Sequence, residues 1–281
     1  MSYRNLDDDL TDVVLNVHRR NAQATRRLAN HPLTRAYLEA GFRILEREFG
    51  THPTGDDDRL RRPLATLTRE TVIAEVANGP EPLPRQGTVG SFRDRWAYFP
   101  DYVSDLTRYV LRAQRMPWDA VLAEQAGTAL ADGEFSSVVH EVAFRRTMLS
   151  THSTSMRFRY SAVALAMRDR RLYESLSSLY EHVIEAWEPL IVSVLSSRGL
   201  SLRPGLTPRD LAMMLTALNE GLALRVASDP NHHVFDESSR RSTLGTAALA
   251  LFAGAVDTGD GASIEDVVDE LTREPPHPEP A

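Results

Sequence analysis

The chain contains neither cysteine nor lysine. Because it has no thiol, disulfide bonds, thiolate metal sites and a cysteine nucleophile are all excluded, and a reducing compartment is expected. All 32 basic residues are therefore arginine, whose forked guanidinium group suits phosphate. A bias in genome base composition produces the same pattern, so the number of arginines alone does not indicate a phosphate-binding protein.

Long apolar runs and targeting signals are also missing. The longest uncharged apolar run, residues 242–256, has 15 residues and is too short to cross a bilayer as a helix. The N-terminus lacks the basic-then-apolar pattern of a secretory signal, since aspartates crowd its first twelve residues. We expect a cytoplasmic protein that does not insert into a membrane.

Charge is distributed unevenly along the chain. Residues 1–116 carry 18 arginines against 16 acidic residues, whereas residues 117–281 carry 14 arginines against 23. The overall composition, with 42% hydrophobic and 25% charged residues, is ordinary for a soluble globular protein with a sizeable core. Any contact with a polyanion is therefore expected to involve the first part of the chain.

Apolar residues recur at helical spacing throughout, and no convincing alternation of period two is found, so the fold class is predicted as all-α. Leu6, Leu10, Val13 and Val17 indicate a first amphipathic helix. The predicted elements that follow are a helix over 34–49, a surface loop over 50–63, and, after a break at 116–117, longer helices near 118–131, 135–151, 155–167, 171–198, 207–228 and 238–256.

The most specific signal lies in residues 88–106. Thr88 can cap a helix whose first turn, residues 89–91, has little side-chain bulk, as a helix that approaches base edges in the major groove requires. Phe92 and Trp96 then lie one turn apart and are expected to pin this helix to a core. The pattern indicates a DNA-reading helix that runs into the helix supporting it.

A Thr68-capped helix, a turn, the helix at Thr88 and a supporting helix together resemble the TetR family of bacterial transcriptional regulators. Residues 67–77 with 88–106 are similar to the family's second to fourth helices, and residues 206–225 are similar to its penultimate helix. The resemblance implies a ligand-responsive regulator, a repressor by analogy, that binds a palindromic operator as a homodimer. The implied domains are an N-terminal extension helix (1–31), a helix-turn-helix DNA-binding domain (32–116), a helical-bundle ligand-binding and dimerisation domain (117–272) and a disordered tail (273–281).

Three features depart from the family pattern. Arg93 stands where the family usually has a tyrosine that binds phosphate, although an arginine also serves phosphate well. Phe99 replaces the usual lysine, and the turn over residues 78–87 is longer than usual. An alternative is therefore a TetR-like helical sensor or partner-binding regulator that has lost DNA binding.

Within this resemblance, residues near Thr88 are expected to contact bases and arginines around them to contact phosphates. The predicted DNA-binding residues are Thr68, Arg69, Arg85, Thr88, Val89, Gly90, Ser91, Arg93, Arg95, Trp96 and Tyr98. The competing interpretation is that residues 93–95 form a solvated surface and that Thr88 is only a helix cap.

The resemblance also implies a cavity for a small-molecule effector in the larger half. Its predicted lining is Trp118, Phe144, Met148, Phe158, Tyr173, Tyr180 and Trp187, although ordinary core packing explains each of these residues singly.

The helix over 207–228 is apolar nearly all round and must bury two faces. The resemblance implies that this helix and the next one form the homodimer interface. The alternative is that both helices belong to a single large core of a monomer. The predicted interface residues are Leu211, Met214, Leu218, Gly221, Leu222, Leu244, Ala248, Leu251 and Phe252.

An enzyme is not expected, and no catalytic residue, cofactor or metal is predicted. The strongest opposing signal is Asp8, Asp9 and Asp12, whose spacing is used by Mg²⁺-dependent enzymes that process prenyl diphosphates. No second metal-binding motif completes such a site, and neither a Gly-rich phosphate loop nor a nucleophile elbow is present.

Overall fold

A computed structural model describes residues 8–17, 21–49, 66–112, 118–132, 134–166, 170–229, 231 and 233–272. In chain order the elements are α1 (Ala22–Ala29), α2 (Pro32–Phe49), α3 (Arg69–Glu75), α4 (Val89–Arg93), α5 (Phe99–Leu111), α6 (Trp118–Asp132), α7 (Phe135–His152), α8 (Thr154–Ala166), α9 (Arg170–Ser197), α10 (Pro208–Ser228), β1 (Phe235–Asp236), β2 (Arg241–Ser242), α11 (Thr243–Ala255) and α12 (Ile264–Thr272). The two short strands pair antiparallel. The predicted all-α fold is confirmed.

The chain forms two compact units. One contains residues 1–117 and 152–180, and the other contains residues 118–151 and 181–281. The sequence assigned residues 152–180 to the second domain, whereas in the structure they pack with the first unit, because α8 contacts α2 and α5. The predicted loop at 50–63, break at 116–117 and tail at 273–281 lie outside the described residues.

In the first unit, α2 is the central helix and contacts α1, α3, α5 and α8. It packs closely on α5 because Gly41 leaves room for Tyr102: a Cβ atom at residue 41 would lie 2.0 Å from the Tyr102 hydroxyl. That hydroxyl donates to the carbonyl of Tyr37 over 2.9 Å. Tyr37, Tyr102, Phe92 and Trp96 are all fully buried and form an aromatic cluster beneath α4.

The helix predicted through Leu10, Val13 and Val17 is wrong over residues 8–17, where a turn at 11–13 is followed by non-helical chain. The cause is Asp105 on α5, whose carboxylate accepts hydrogen bonds from the backbone N–H groups of Leu15 (3.1 Å) and Asn16 (3.2 Å). Leu10 and Val17 are nevertheless buried. The apolar spacing therefore correctly predicted that Leu10 and Val17 are buried, but it did not predict the backbone conformation. Leu6 lies outside the described residues.

In the second unit, α6, α7, α10, α11 and the later part of α9 enclose an apolar core. Thr207 caps α10 through a reciprocal hydrogen-bond pair with Asp210. The last long helix begins at Thr243 rather than near residue 238, because residues 235–242 form the β1–β2 hairpin. Among the helices that the structure describes, none is long and apolar enough to cross a membrane.

Candidate functional site

The first turn of α4 is capped and exposed. The Thr88 side chain accepts a hydrogen bond from the Ser91 amide over 3.0 Å, and the Ser91 hydroxyl accepts one from the Thr88 amide over 3.1 Å. Thr88, Gly90 and Arg93 are exposed, and Val89 is 47% exposed. Together with Tyr98, which is 72% exposed, these residues form what we call the α4 surface.

Tyr37 of α2 supports this turn from below. Its hydroxyl oxygen accepts a hydrogen bond from the Thr88 amide over 3.0 Å and lies 2.7 Å from the Ser91 hydroxyl oxygen. The chain reaches this hydroxyl because residue 87 is glycine: a Cβ atom there would lie 2.8 Å from it. The start of α4 is therefore held by the core while its outer side stays free, and sequence reasoning did not identify Tyr37.

Arg95 and Trp96 do not belong to the exposed surface, which corrects their predicted contact with DNA. Arg95 is 5% exposed and donates to Thr34 Oγ1 over 2.8 Å and to the Ser91 carbonyl over 2.7 Å. Trp96 is fully buried, and its indole N–H donates to Asp105 over 2.8 Å. Burial raises the pKa of Asp105, opposed by Arg108 and by the Trp96 hydrogen bond. Both residues follow the end of α4 at Arg93, and their polar groups are bonded within the protein.

The other predicted DNA-binding residues surround α4. Arg85 is exposed and donates to the Gly79 carbonyl over 3.1 Å. Arg69 is half-buried, with its guanidinium carbon 5.7 Å from the centre of the Phe92 ring. Thr68 caps α3 through Thr71. Arg69 therefore lies beside α4, and Arg85 is exposed in the segment that precedes it.

An ion-pair cluster that sequence reasoning missed fastens α3 to α2. The Glu75 carboxylate lies 2.8 Å from Arg43 Nε and 2.8 Å from Arg47 Nη2. Burial works to raise the pKa of Glu75, but hydrogen bonds from Arg47, Arg43 and Asn78 outweigh it and lower the pKa to about 2. The carboxylate therefore stays charged at neutral pH and fixes α3 against the central helix.

The second unit contains a cavity of about 140 Å³ between α6, α7, α9, α10 and α11. Most of its lining is Leu, Val, Ala and Phe, and Trp187 alone among the predicted effector-binding residues lines it. Phe144 is buried beside Phe235 instead, at 6.0 Å between ring centres. Trp118 and Met148 are not part of the lining either.

The remaining predicted effector residues belong to the first unit. These are Phe158, Tyr173 and Tyr180. Phe158 packs on Phe49 at 5.7 Å between ring centres, and Tyr173 is 63% exposed. The prediction of one pocket lined by all seven residues is therefore corrected. Aromatic content did not locate the cavity because its lining consists largely of aliphatic residues on helices with no clear apolar stripe.

Polar groups meet at one part of the cavity lining. Arg146, which is 4% exposed, places Nε 2.7 Å from Asp119 Oδ1, and the indole N–H of Trp187 donates to the same oxygen over 2.7 Å. Arg146 also donates to Ser150, whose hydroxyl oxygen accepts a hydrogen bond from Asn219 Nδ2 over 2.9 Å. Sequence reasoning missed this network, because its members are far apart in the chain.

Most of the side chains of α10 and α11 that the sequence assigned to a dimer interface are instead buried or partly buried within the protomer. Leu211, Leu222 and Leu244 are 3%, 7% and 5% exposed within one protomer and cannot form an outer surface. Leu218 packs on this core, and Ala248, Leu251 and Phe252 line the cavity. Of the predicted interface, Met214 and Gly221 are exposed. The exposed residues define what we call the outer face: Met213, Met214, Ala217, Gly221 and Leu224 of α10 with Thr246, Ala250, Ala253 and Gly254 of α11.

The aspartate string at the start of the described chain is engaged within the protein. Asp9 accepts hydrogen bonds from Thr11, Asn30 and Arg26, which lower its pKa. Asp8 lies 3.6 Å from Arg112. Among the described residues, no group of three or more histidines and carboxylates could hold a metal ion.

Comparison with known proteins gives a family match for the C-terminal part of the chain. A family model for the C-terminal domain of BetI-type transcriptional repressors matches residues 140–253, from α7 to α11. The match supports a TetR-family regulator. The resemblance drawn from the sequence is thereby confirmed over residues 140–253. The matched region includes Arg146 and Asn219 of the cavity lining and their hydrogen-bond partner Ser150. No curated protein and no solved structure matches the chain.

Members of the TetR family bind DNA and dimerise. The TetR match does not extend to the α4 surface, which lies outside residues 140–253. The match therefore supports the general role of a transcriptional regulator of repressor type, and the contacts of individual residues must be argued from the structure.

Proposed function

We propose that this TetR-family regulator is a ligand-responsive repressor that binds a palindromic operator as a homodimer. It acts in the cytoplasm and has no catalytic activity. The observation that carries the proposal is the exposed and capped first turn of α4, which the buried side chains of Tyr37, Arg95 and Trp96 hold in place. Such a turn has the shape and rigidity that reading of a major groove requires.

DNA recognition is assigned to the α4 surface. Gly90 allows close approach to the duplex, because it has no side chain, and Val89 offers an apolar contact for a thymine methyl group. Arg93, at the end of the same helix, is exposed and suited to a backbone phosphate. Arg69 and Arg85 extend the basic flank on either side. Base contacts then set specificity, and the arginines set affinity.

Dimerisation is assigned to the outer face. Met213 is 50% exposed and Leu224 is 47% exposed on α10, with the small residues Ala217 and Gly221 between them. An apolar surface of this kind is expected to be buried against another molecule. Pairing about a two-fold axis buries the same face of both protomers and presents two α4 helices to half-sites about 34 Å apart, one turn of the duplex.

Effector response is assigned to the cavity of the second unit. Its lining includes residues of α10 and α11, the helices that also carry the outer face. A molecule that enters the cavity and favours one arrangement of these helices shifts the dimer between two states. Release of DNA follows if the operator binds only one of these states, with a coupling free energy typically of about 1–3 kcal/mol.

The test begins with selection of duplexes from a random library by the full-length protein. An inverted repeat is expected among the enriched sequences. Affinity for that repeat is then measured by fluorescence anisotropy between about 50 and 200 mM salt. Arg93→Ala is expected to weaken binding across sequences and to reduce the slope of log affinity against log salt by about one per half-site.

A matched control is Arg170→Ala, which removes the same charge from α9. It is expected to leave both affinity and salt slope unchanged. The proposal is rejected if no sequence is enriched and binding to duplex DNA is weak at every salt concentration. That result favours the alternative, a TetR-like sensor that binds a protein partner instead of DNA.

A further inference from the structure

The charge of the cavity lining is already balanced within the protein. Arg146 is its ionisable lining residue, and its guanidinium group is paired with the buried Asp119 at 2.7 Å. Asp119 in turn accepts the Trp187 hydrogen bond. A charged ligand would meet no uncompensated partner in this lining and would lose its hydration, which costs far more than burial of a neutral molecule. The lining therefore selects against both anions and cations.

The orientation of the Asn219 amide follows from its neighbours. Ser150 has one hydroxyl hydrogen, which it donates to the Arg146 carbonyl over 2.9 Å. Its oxygen must therefore accept the hydrogen bond shared with Asn219, so the Asn219 atom facing Ser150 is the NH₂ nitrogen. Asn219 is 1% exposed, lines the cavity, and its Oδ1 has no hydrogen-bond partner among the described residues.

A buried acceptor without a partner has lost its hydrogen bonds to water and gained none in return, so a ligand donor that reaches it is favoured. A second lining group, Thr216, donates its hydroxyl hydrogen to the Ala212 carbonyl over 2.8 Å, which leaves its oxygen as an acceptor. The Trp187 N–H is engaged with Asp119. Asn219 and Thr216 therefore each keep an acceptor oxygen, and the ligand group that complements them is a hydrogen-bond donor.

The size of the cavity limits the ligand further. Its volume of about 140 Å³ is close to that of an engineered apolar cavity of about 150 Å³ known to hold benzene. Phe135 and Phe252, with ring centres 4.9 Å apart, contribute aromatic surface to the lining. A molecule with one ring and few further atoms fits this space.

We propose that the effector site of this regulator takes a neutral, largely apolar molecule of about one ring that donates a single hydrogen bond to Asn219 Oδ1. Its use as a signal rests on the proposed function, whereas binding itself does not. Phenols and small aromatic alcohols or amides belong to this chemical class. The effector assigned to this cavity is thus specified by its charge, its polarity and its size.

Isothermal titration of the full chain with four probes of one ring size tests this inference. Phenol carries the donor, toluene lacks it, benzoate is an anion and benzylammonium is a cation. Phenol is expected to bind, and both charged probes are expected to bind at least about tenfold more weakly. Tighter binding of benzoate or benzylammonium than of phenol would overturn the neutral character of the site, and failure of all four probes would overturn the site itself.

The role of Asn219 is tested by Asn219→Leu, which removes the acceptor at similar volume. The ratio of phenol to toluene affinity is expected to fall about tenfold or more. Asn231→Leu, at an exposed loop position, is the matched control and should leave the ratio unchanged. Ala248→Phe fills the cavity and should abolish binding of both probes. An unchanged ratio in Asn219→Leu would reject the hydrogen bond.

A second measurement covers the case in which Asn219→Leu does not fold. In the wild-type protein, phenol should bind about tenfold more tightly than anisole, whose methylated oxygen has no proton to donate. Equal affinities would reject the donor requirement. DNA binding is measured separately in the anisotropy assay, so a protein that binds DNA but not phenol refutes only this inference, and one that binds phenol but not DNA refutes only the operator assignment.

Discussion

Removal of one buried hydroxyl group, in Tyr37→Phe, tests whether the α4 surface is held from below. The substitution keeps the ring, which packs edge-on against Phe92 at 5.2 Å between ring centres. It removes the acceptor of the Thr88 amide at 3.0 Å and the contact with the Ser91 hydroxyl at 2.7 Å. Each such hydrogen bond contributes about 1 kcal/mol net. The Thr88 amide keeps Ser91 as a partner at 3.1 Å, so we expect a loss of about 1–2 kcal/mol.

The assay is amide hydrogen exchange, because the chain forms two compact units and a single unfolding free energy is not defined for it. Exchange at the amides of Thr88 and Ser91 should become about five- to thirtyfold faster, which corresponds to about 1–2 kcal/mol. Operator affinity should fall as well, while the salt slope stays the same, because no phosphate contact is removed.

Tyr98→Phe is the matched control, since the same hydroxyl is removed from a side chain that is 72% exposed. It should leave exchange at Thr88 unchanged. If Tyr37→Phe and Tyr98→Phe gave the same exchange rates, the buried hydroxyl would contribute nothing to the start of α4, and the argument that the core organises this surface would be wrong.

Two further predictions concern pH and assembly. The folded-state pKa of Glu75 is lowered from 4.5 to about 2, so its ionised form stabilises the first unit by up to about 3 kcal/mol. This stabilisation is fully present above pH 4.5 and is lost as pH falls towards 2. Glu75→Gln should remove that part of the acid dependence of unfolding of the first unit, and an unchanged profile would contradict the assignment. Met213→Glu should convert a dimer to monomers in light scattering, whereas Val268→Glu on the exposed side of α12 should not; persistence of the dimer in Met213→Glu would reject the outer face as its interface.

Several features of this regulator could be predicted from the sequence because their causes are local. The Thr88 cap depends on a hydroxyl side chain three residues before its partner, and it forms as predicted. The aromatic spacing of Phe92 and Trp96 correctly indicated a pinned helix. Helical periodicity indicated the all-α class, and the TetR resemblance follows from the same local order of short helices.

Other features depend on partners distant in the chain. Residues 8–17 carry helical apolar spacing, yet Asp105, about ninety residues later, binds their backbone amides and prevents the helix. Arg95 looks like a surface cation in the sequence, but Thr34 and the Ser91 carbonyl draw it inside. No local pattern contains these contacts.

The sequence by itself determined most of the helices and the Thr88 cap, because those properties depend on side chains within one or two turns. Tertiary structure alone decided which side of α10 is free, since a helix that is apolar all round carries no information about its orientation. Leu211 and Leu222 turned inward, and Met213 and Leu224 outward. The cavity and the Asn219 acceptor were decided in the same way, by packing of five helices from separate parts of the chain.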